Sequence, residues 1–245
     1  MLDALNVAWY ASLTAESVLL WRLFHLGLPL PWFKGYLAAS LLQSAFFLVV
    51  APRPSARAYD AVWIGTEPVL LLLVCGAVTE ACTRIRESFP GLGKFGQWAI
   101  AGLSLVAAVI CLASIGPDVH AANWHRPVLT WAILAKRAIS TIGSLVLLIV
   151  LVCLTITPSR IAPNVRMHTR LLCICLAIPA IGSCLLLLGI GSSRSVSIGM
   201  LSGVTLCFAG WSLLVRRDGE GRPAPPRVVP DADVKHKWGP GACAG

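Results

Sequence analysis

Charged residues are scarce in this chain of 245 residues, and their scarcity excludes most soluble folds. They make up 13% of the sequence, whereas a soluble domain carries about 25%. Hydrophobic residues make up 57%, and the mean hydropathy is +0.77. Too little polar sequence remains to cover a water-soluble core, and global disorder is excluded because it requires low hydrophobicity. The composition predicts an all-α polytopic membrane protein.

Recognisable chemical motifs are also lacking. No Cys-x-x-Cys spacing occurs among the nine cysteines, and most of them lie in apolar runs, where cysteine acts as a small hydrophobic residue. The sequence contains no His-Glu-x-x-His, no Gly-x-Ser-x-Gly and no P-loop. We therefore predict no disulfide framework, no metal site, no cofactor and no enzymatic activity.

Apolar stretches divide most of the chain into candidate transmembrane helices. A hydrocarbon core of about 30 Å requires about 20 helical residues. Proline and glycine lie in the intervals between the stretches, as expected of loops. The fifth stretch is longer than a bilayer requires, so it must tilt or begin at the interface. The predicted bundle of seven helices covers residues 1–217, with stretches at about 5–24, 35–51, 61–81, 97–115, 130–157, 171–191 and 195–215.

Basic residues indicate the orientation of this bundle. Most of the 20 lysines and arginines fall on the side that also carries the C-terminus. Cytoplasmic loops carry such an excess, so we predict an N-terminus outside and a C-terminus in the cytoplasm. The net charge of +9 then forms a basic rim beside the anionic cytoplasmic leaflet of the bilayer. We predict no nucleic acid partner.

The composition changes at Asp218. Residues 218–245 are rich in proline, glycine and basic residues, which predicts a disordered cytoplasmic tail. The tail is interpreted either as a plain solvated segment or as a segment that docks a cytoplasmic protein.

Three ionisable residues fall well inside predicted spans, away from their inner ends, where each is costly and is by default a hypothesis of function. Glu16, Glu67 and Arg137 lie at similar depths in the outer half of the bundle, at about 1.5 Å per helical residue. We expect Glu16 and Glu67 to share Arg137, or Lys136, with Gln43 as a further partner. Two carboxylates and one or two cations would nearly neutralise each other in a low dielectric.

The same residues also have structural interpretations. A buried ion pair can fix helix register without binding any ligand. Lys136 and Arg137 can lie at the interface with their long stems snorkelling, and Glu67-Pro68 can be a kink with an exposed acid. Near the inner face, His168 is expected at the interface.

Two weaker features are interpreted as packing or surface features. Gly199 and Gly203 form a Gly-x-x-x-Gly motif, which predicts close helix packing within the bundle or between subunits. Glu80 and Arg84 are spaced as a surface pair at the inner end of the third stretch.

One region carries a family resemblance. It comprises Tyr59-Asp-Ala-Val-Trp-Ile-Gly-Thr-Glu67 and Phe89-Pro-Gly-Leu-Gly-Lys94, together with Glu16, Trp21-Arg22 and Arg137. In these features the chain resembles a bacterial family of seven-helix membrane proteins with no known activity. The resemblance would cover roughly residues 5–216, it implies location in the bacterial inner membrane, and it adds no site residues.

Seven helices alone do not select a function. Our first hypothesis is a non-enzymatic membrane sensor or scaffold subunit, because the loops are short, catalytic motifs are lacking and the basic tail can meet cytoplasmic partners. The alternative is a small-solute or proton-coupled transporter that uses the cluster of Glu16, Glu67 and Arg137.

Overall fold

The computed structural model describes residues 4–50, 56–87, 101–102, 105–106, 109, 127–156, 162–187, 190 and 192–216. Within these residues the regular structure is entirely α-helical, without any strand, so the predicted all-α class is confirmed. The six long helices of this part are α1 (Ala4–His25), α2 (Pro31–Val50), α3 (Ala56–Glu87), α4 (Pro127–Ile156), α5 (Pro163–Leu187) and α6 (Ser193–Leu214).

Four of these helices are long and apolar enough to cross a membrane. The segments concerned are Ala61–Glu87, Ile133–Thr155, Pro163–Leu186 and Ser193–Leu214. They indicate a multi-pass membrane protein. The predicted stretch 97–115 lies mainly outside the described residues, as does the tail 218–245, so the count of seven spans rests on the sequence.

Proline and serine determine where several helices begin. Pro31, Pro127 and Pro163 are first residues of α2, α4 and α5, a position where proline needs no N–H partner and its φ already suits a helix. The side chain of Ser192 caps α6 by accepting a hydrogen bond of 3.2 Å from the backbone N–H of Ser195. Helix α5 begins well before the predicted residue 171, because its first turns are polar and the apolar pattern does not include them.

The helices form a closed ring. Each helix packs against the next one along the chain, α6 packs against α1, and α3 also contacts α5 across the ring. Leu19, Phe33, Leu147 and Trp211 are almost fully buried in its core. Large apolar side chains on the outside of the ring are exposed, as expected of a surface that meets lipid rather than water.

The two glycines of the Gly-x-x-x-Gly motif differ in their surroundings. A β-carbon at Gly203 would lie 3.1 Å from Ile178 of α5, so α5 and α6 approach each other closely there. Gly199 is exposed, and within the described residues no atom of another helix lies within 4 Å of the place of its β-carbon. Of the two glycines, Gly203 therefore lies at a close helix contact within the bundle, whereas among the described residues Gly199 does not.

A closer approach joins α2 and α3 at Gly76. The indole ring of Trp32 occupies the space in which a β-carbon of residue 76 would lie. Only a glycine at position 76 allows the ring to lie flat against α3, so this contact fixes the spacing of the two helices.

We predict that Gly76→Ala lowers the free energy of unfolding by about 1–3 kcal/mol, the usual cost of overpacking a tight contact. Gly65→Ala is the matched control on α3, because nothing lies within 4 Å of its β-carbon. Thermal unfolding of the purified protein in detergent measures both variants. Equal melting temperatures for the two variants would contradict the close contact between Trp32 and Gly76.

Candidate functional site

Glu67 on α3 is the more deeply buried of the two acids that the sequence singles out. Its side chain is 1% exposed, and its Oε1 atom lies 2.9 Å from the Nζ atom of Lys136 on α4. The lysine side chain is 45% exposed, so its stem reaches from the surface into the bundle. The second oxygen of Glu67, Oε2, has no hydrogen-bond partner among the described residues.

Trp63 holds the same lysine from α3. The Nζ atom of Lys136 lies 5.8 Å from the centre of a Trp63 ring, within the range of a cation–π interaction. Trp63 precedes Glu67 by four residues, so one turn of α3 places the ring and the carboxylate on the same face. The ammonium group is therefore held between an aromatic ring and a buried carboxylate.

Glu16 on α1 is buried, and within the described part of the chain it forms no ion pair. It belongs to the buried face formed by Ser12, Glu16, Leu19 and Leu23, which are spaced three and four residues apart. Its side chain is 3% exposed, and its Oε1 atom has no hydrogen-bond partner among the described residues. The side chain of Ser40 on α2 lies beside the carboxyl group.

Helix α2 lies between the two carboxyl groups. Tyr36 is within electrostatic range of both Glu16 and Glu67, and of the buried thiol of Cys175 on α5. Two turns further along, the Nε2 atom of Gln43 donates a hydrogen bond of 2.7 Å to the Oγ1 atom of Thr66. Tyr36, Ser40 and Gln43 are four and three residues apart, so one polar face of α2 serves the whole cluster.

The structure therefore brings together most, but not all, of the expected cluster. Lys136 pairs with Glu67, whereas Gln43 donates to Thr66 instead of to a carboxylate. The expectation that both acids share one cation is wrong for the described contacts: α1 packs against α2 and α6, and α4 carries Lys136 to Glu67 alone. Arg137, the next residue of α4, is half-buried.

The structure buries His168 between helices, and its expected position near the inner interface stays a prediction. Its side chain is 3% exposed, and its ring packs edge-on against Phe33 at 4.9 Å. Trp211 lies 5.6 Å from the same ring. Neither imidazole nitrogen has a hydrogen-bond partner among the described residues. Tyr36 was not among the residues predicted for the polar cluster. Its spacing of four and seven residues from Ser40 and Gln43, which places all three on one helix face, could have revealed it.

Comparison of the chain with known protein families, with curated proteins and with solved structures found no match. The resemblance to a bacterial seven-helix family stays a prediction. The functional argument therefore rests on the residues themselves: two buried carboxylates, one paired cation and a polar face of α2 between them.

We predict that Lys136→Gln destabilises the protein by about 1–3 kcal/mol, because it leaves the buried Glu67 carboxylate without its partner. Glu67→Gln in addition to Lys136→Gln should recover most of this loss, since no buried charge then remains. Arg170→Gln, an exposed cation of α5, is the control. Chemical unfolding of the wild type, Lys136→Gln, Glu67→Gln and the double variant measures the coupling, and strictly additive effects of the two substitutions would contradict a direct ion pair.

Proposed function

We propose that this protein is a proton-coupled or small-solute membrane transporter and that Glu16 and Glu67 are its charge-binding residues. The observation that carries the proposal is that the two carboxylates differ in their ion pairing. Both carboxyl groups are almost fully buried, and only Glu67 has an ion pair within the described residues. Ionisable groups inside a membrane bundle are rare and mark ion pathways, proton relays and substrate sites.

The charge balance explains why such a site binds protons or cations. Glu67 and Lys136 cancel each other when both are ionised, and an ionised Glu16 adds one negative charge. An isolated carboxylate in a low dielectric is so costly that it takes up a proton or a cation instead. Glu16 therefore alternates between a neutral and a compensated form, which is the property that coupled transport requires.

The unpartnered oxygens of the cluster support the same function. Within the described residues, the Oε1 atom of Glu16 and the Oε2 atom of Glu67 have no hydrogen-bond partner, and each is an acceptor for a bound proton or cation.

The sensor or scaffold hypothesis depends on other features. Its main support is the basic tail 218–245, which lies outside the described residues. It stays a prediction, whereas the transport proposal draws on contacts of the buried residues.

We also propose the topology in which this transporter works. Residues 1–217 form seven membrane spans in a bacterial inner membrane, with the N-terminus outside and the tail in the cytoplasm. The four apolar helices support several crossings, and the uneven distribution of lysine and arginine supports the orientation.

We predict that purified full-length protein in lipid vesicles gives a proton flux that a trapped pH-sensitive dye reports. Glu16→Gln and Glu67→Gln should each lower this flux at least about tenfold, because the amide cannot take up the proton. Ser17→Ala is the matched control: Ser17 is exposed on α1 next to Glu16, and its hydroxyl bonds only its own helix. Flux that survives both Gln substitutions would refute the proposed role of the carboxylates.

We predict that reporter fusions at the two termini report opposite compartments. A fluorescent protein fused after Gly245 should be fluorescent in the cytoplasm, whereas alkaline phosphatase fused before Met1 should be active outside. An odd number of spans requires this outcome. Two termini in one compartment would exclude seven spans.

A further inference from the structure

A second polar region lies at the opposite end of the bundle from Glu67. A cavity of about 790 Å³ opens between the start of α2, the end of α3 and the start of α5. Its volume falls within the range of about 300–1,000 Å³ that is typical of small-molecule sites. None of the acids of the candidate site described above lines it.

A polar stripe of α3 forms one wall of this cavity. Its residues recur every three or four positions, which places them on a single face of the helix. The stripe consists of Gly76, Thr79, Glu80, Thr83, Arg84 and Glu87. Glu80 and Arg84 were expected to be a surface pair, and the cavity gives this face of an otherwise apolar helix a polar environment.

The opposite wall presents an aromatic ring. Trp32 packs directly over Gly76, so its indole is fixed in the wall, and 46% of the residue remains exposed. The Oε2 atom of Glu80, one turn after Gly76, accepts a hydrogen bond of 3.4 Å from the backbone N–H of Phe33, next to Trp32. This contact holds the Glu80 carboxylate beside the ring.

The charges of the wall favour a cation. Glu80 and Glu87 carry two negative charges, and Arg84 carries one positive charge. The nearby ammonium of Lys34 does not line this cavity; it lies 5.0 Å from the centre of the Phe24 ring, in a neighbouring groove. Both Arg84 and Lys34 act electrostatically on Glu80, so the preference for a cation rests on the placement of the carboxylates and not on a surplus of charge. The Glu80 carboxylate beside the half-exposed Trp32, with Glu87 in the same wall, is a combination of acid and aromatic ring that binds organic ammonium ions.

A smaller cavity extends this one towards the core. It has a volume of about 10 Å³, which is enough for one water molecule, and Arg84 and Val165 line both cavities. His168 lines its inner side, and its imidazole nitrogens have no partner among the described residues. The small cavity thus links the larger one to a buried polar side chain that needs a hydrogen-bond partner.

We propose that the cavity between Trp32 and the polar stripe of α3 binds a small organic ammonium cation. The ammonium group lies against the indole face, and Glu80 and Glu87 balance its charge. This inference names the solute class of the transporter, and for its role in transport it rests on the proposed function. Binding itself is independent of transport and is tested separately.

The test is calorimetric binding of choline chloride to the purified full chain in lipid nanodiscs at constant ionic strength. Its neutral carbon isostere, 3,3-dimethyl-1-butanol, has the same shape without the charge. We expect the isostere to bind at least about tenfold more weakly than choline, because it lacks the interaction with the ring and the carboxylates. Equal binding of the two compounds, or no binding of choline, would overturn the proposal.

Two variants locate the bound cation. Trp32→Leu and Glu87→Gln should each weaken choline binding, the first about tenfold and the second about threefold. Trp21→Leu is the matched control, because this tryptophan of α1 is exposed and does not line the cavity. Glu87 is exposed at the end of α3, so its substitution stays informative if Trp32→Leu does not fold. Unchanged affinity in Glu87→Gln and in folded Trp32→Leu would refute the site.

Glycine betaine, a zwitterion with the same ammonium group, tests whether the cavity prefers a cation to a zwitterion. Weaker binding of betaine than of choline supports recognition by Glu80 and Glu87, because the carboxylate of betaine is repelled by them, and tighter binding would overturn the proposed charge class. The binding and flux experiments can fail independently of each other, so their results separate the site from the transport function. Choline binding without proton flux refutes the transport function and leaves the site, whereas flux without choline binding refutes the site alone.

Discussion

The cost of a charge inside an apolar bundle is the constraint on which the rest of this structure depends. Glu67 is almost completely buried, and the bundle compensates it with a lysine that reaches in from the surface and is held by Trp63. Because hydrogen-bonded pairing only offsets desolvation, such a pair adds little stability, although loss of one partner is expensive. A purely structural bundle would avoid this cost with apolar residues. The second acid, Glu16, has no ion pair within the described residues, and this is the feature on which the proposed charge binding rests.

Helix α2 supplies side chains both to the cluster of Glu16 and Glu67 and to the wall of the cavity. Its interior face carries Phe33, Tyr36, Ser40 and Gln43 past α1 and α3, so it meets Glu16 on one side and Thr66 on the other. Its first turn supplies Trp32 and the backbone N–H of Phe33 to the cavity wall. Gly76 fixes the distance between α2 and α3, because the indole ring fills the space of its β-carbon. A single close contact of helices thus sets the geometry at one end of the bundle and constrains the other.

The class of the fold and the types of residue in the buried cluster could be predicted from the sequence. Which acid pairs with which cation could not. Scarce charge and long apolar runs were sufficient for an all-α membrane protein, since lipid leaves few other choices. Depth along each helix singled out Glu16, Glu67 and Arg137, with Lys136 as the alternative cation, and it is Lys136 that pairs with Glu67. It could not decide that Lys136 pairs with Glu67 alone, because that depends on which helices are neighbours in the ring. The burial of His168 could not be predicted for a related reason: the polar first turns of α5 give no sign that this part of the helix packs against Phe33 and Trp211.

Helix α3 carries Glu67 towards one end and the polar stripe from Gly76 to Glu87 at the other. From Glu67 to Glu80 the helix rises about 20 Å, at about 1.5 Å per residue. This distance weakens the direct electrostatic interaction between the two regions. Movement of α2 and α3 as packed elements is the second route by which a proton at the carboxylates would influence a cation at the cavity. Pro68, directly after Glu67, interrupts the hydrogen bonds of α3 and makes that turn the place where the helix bends most easily.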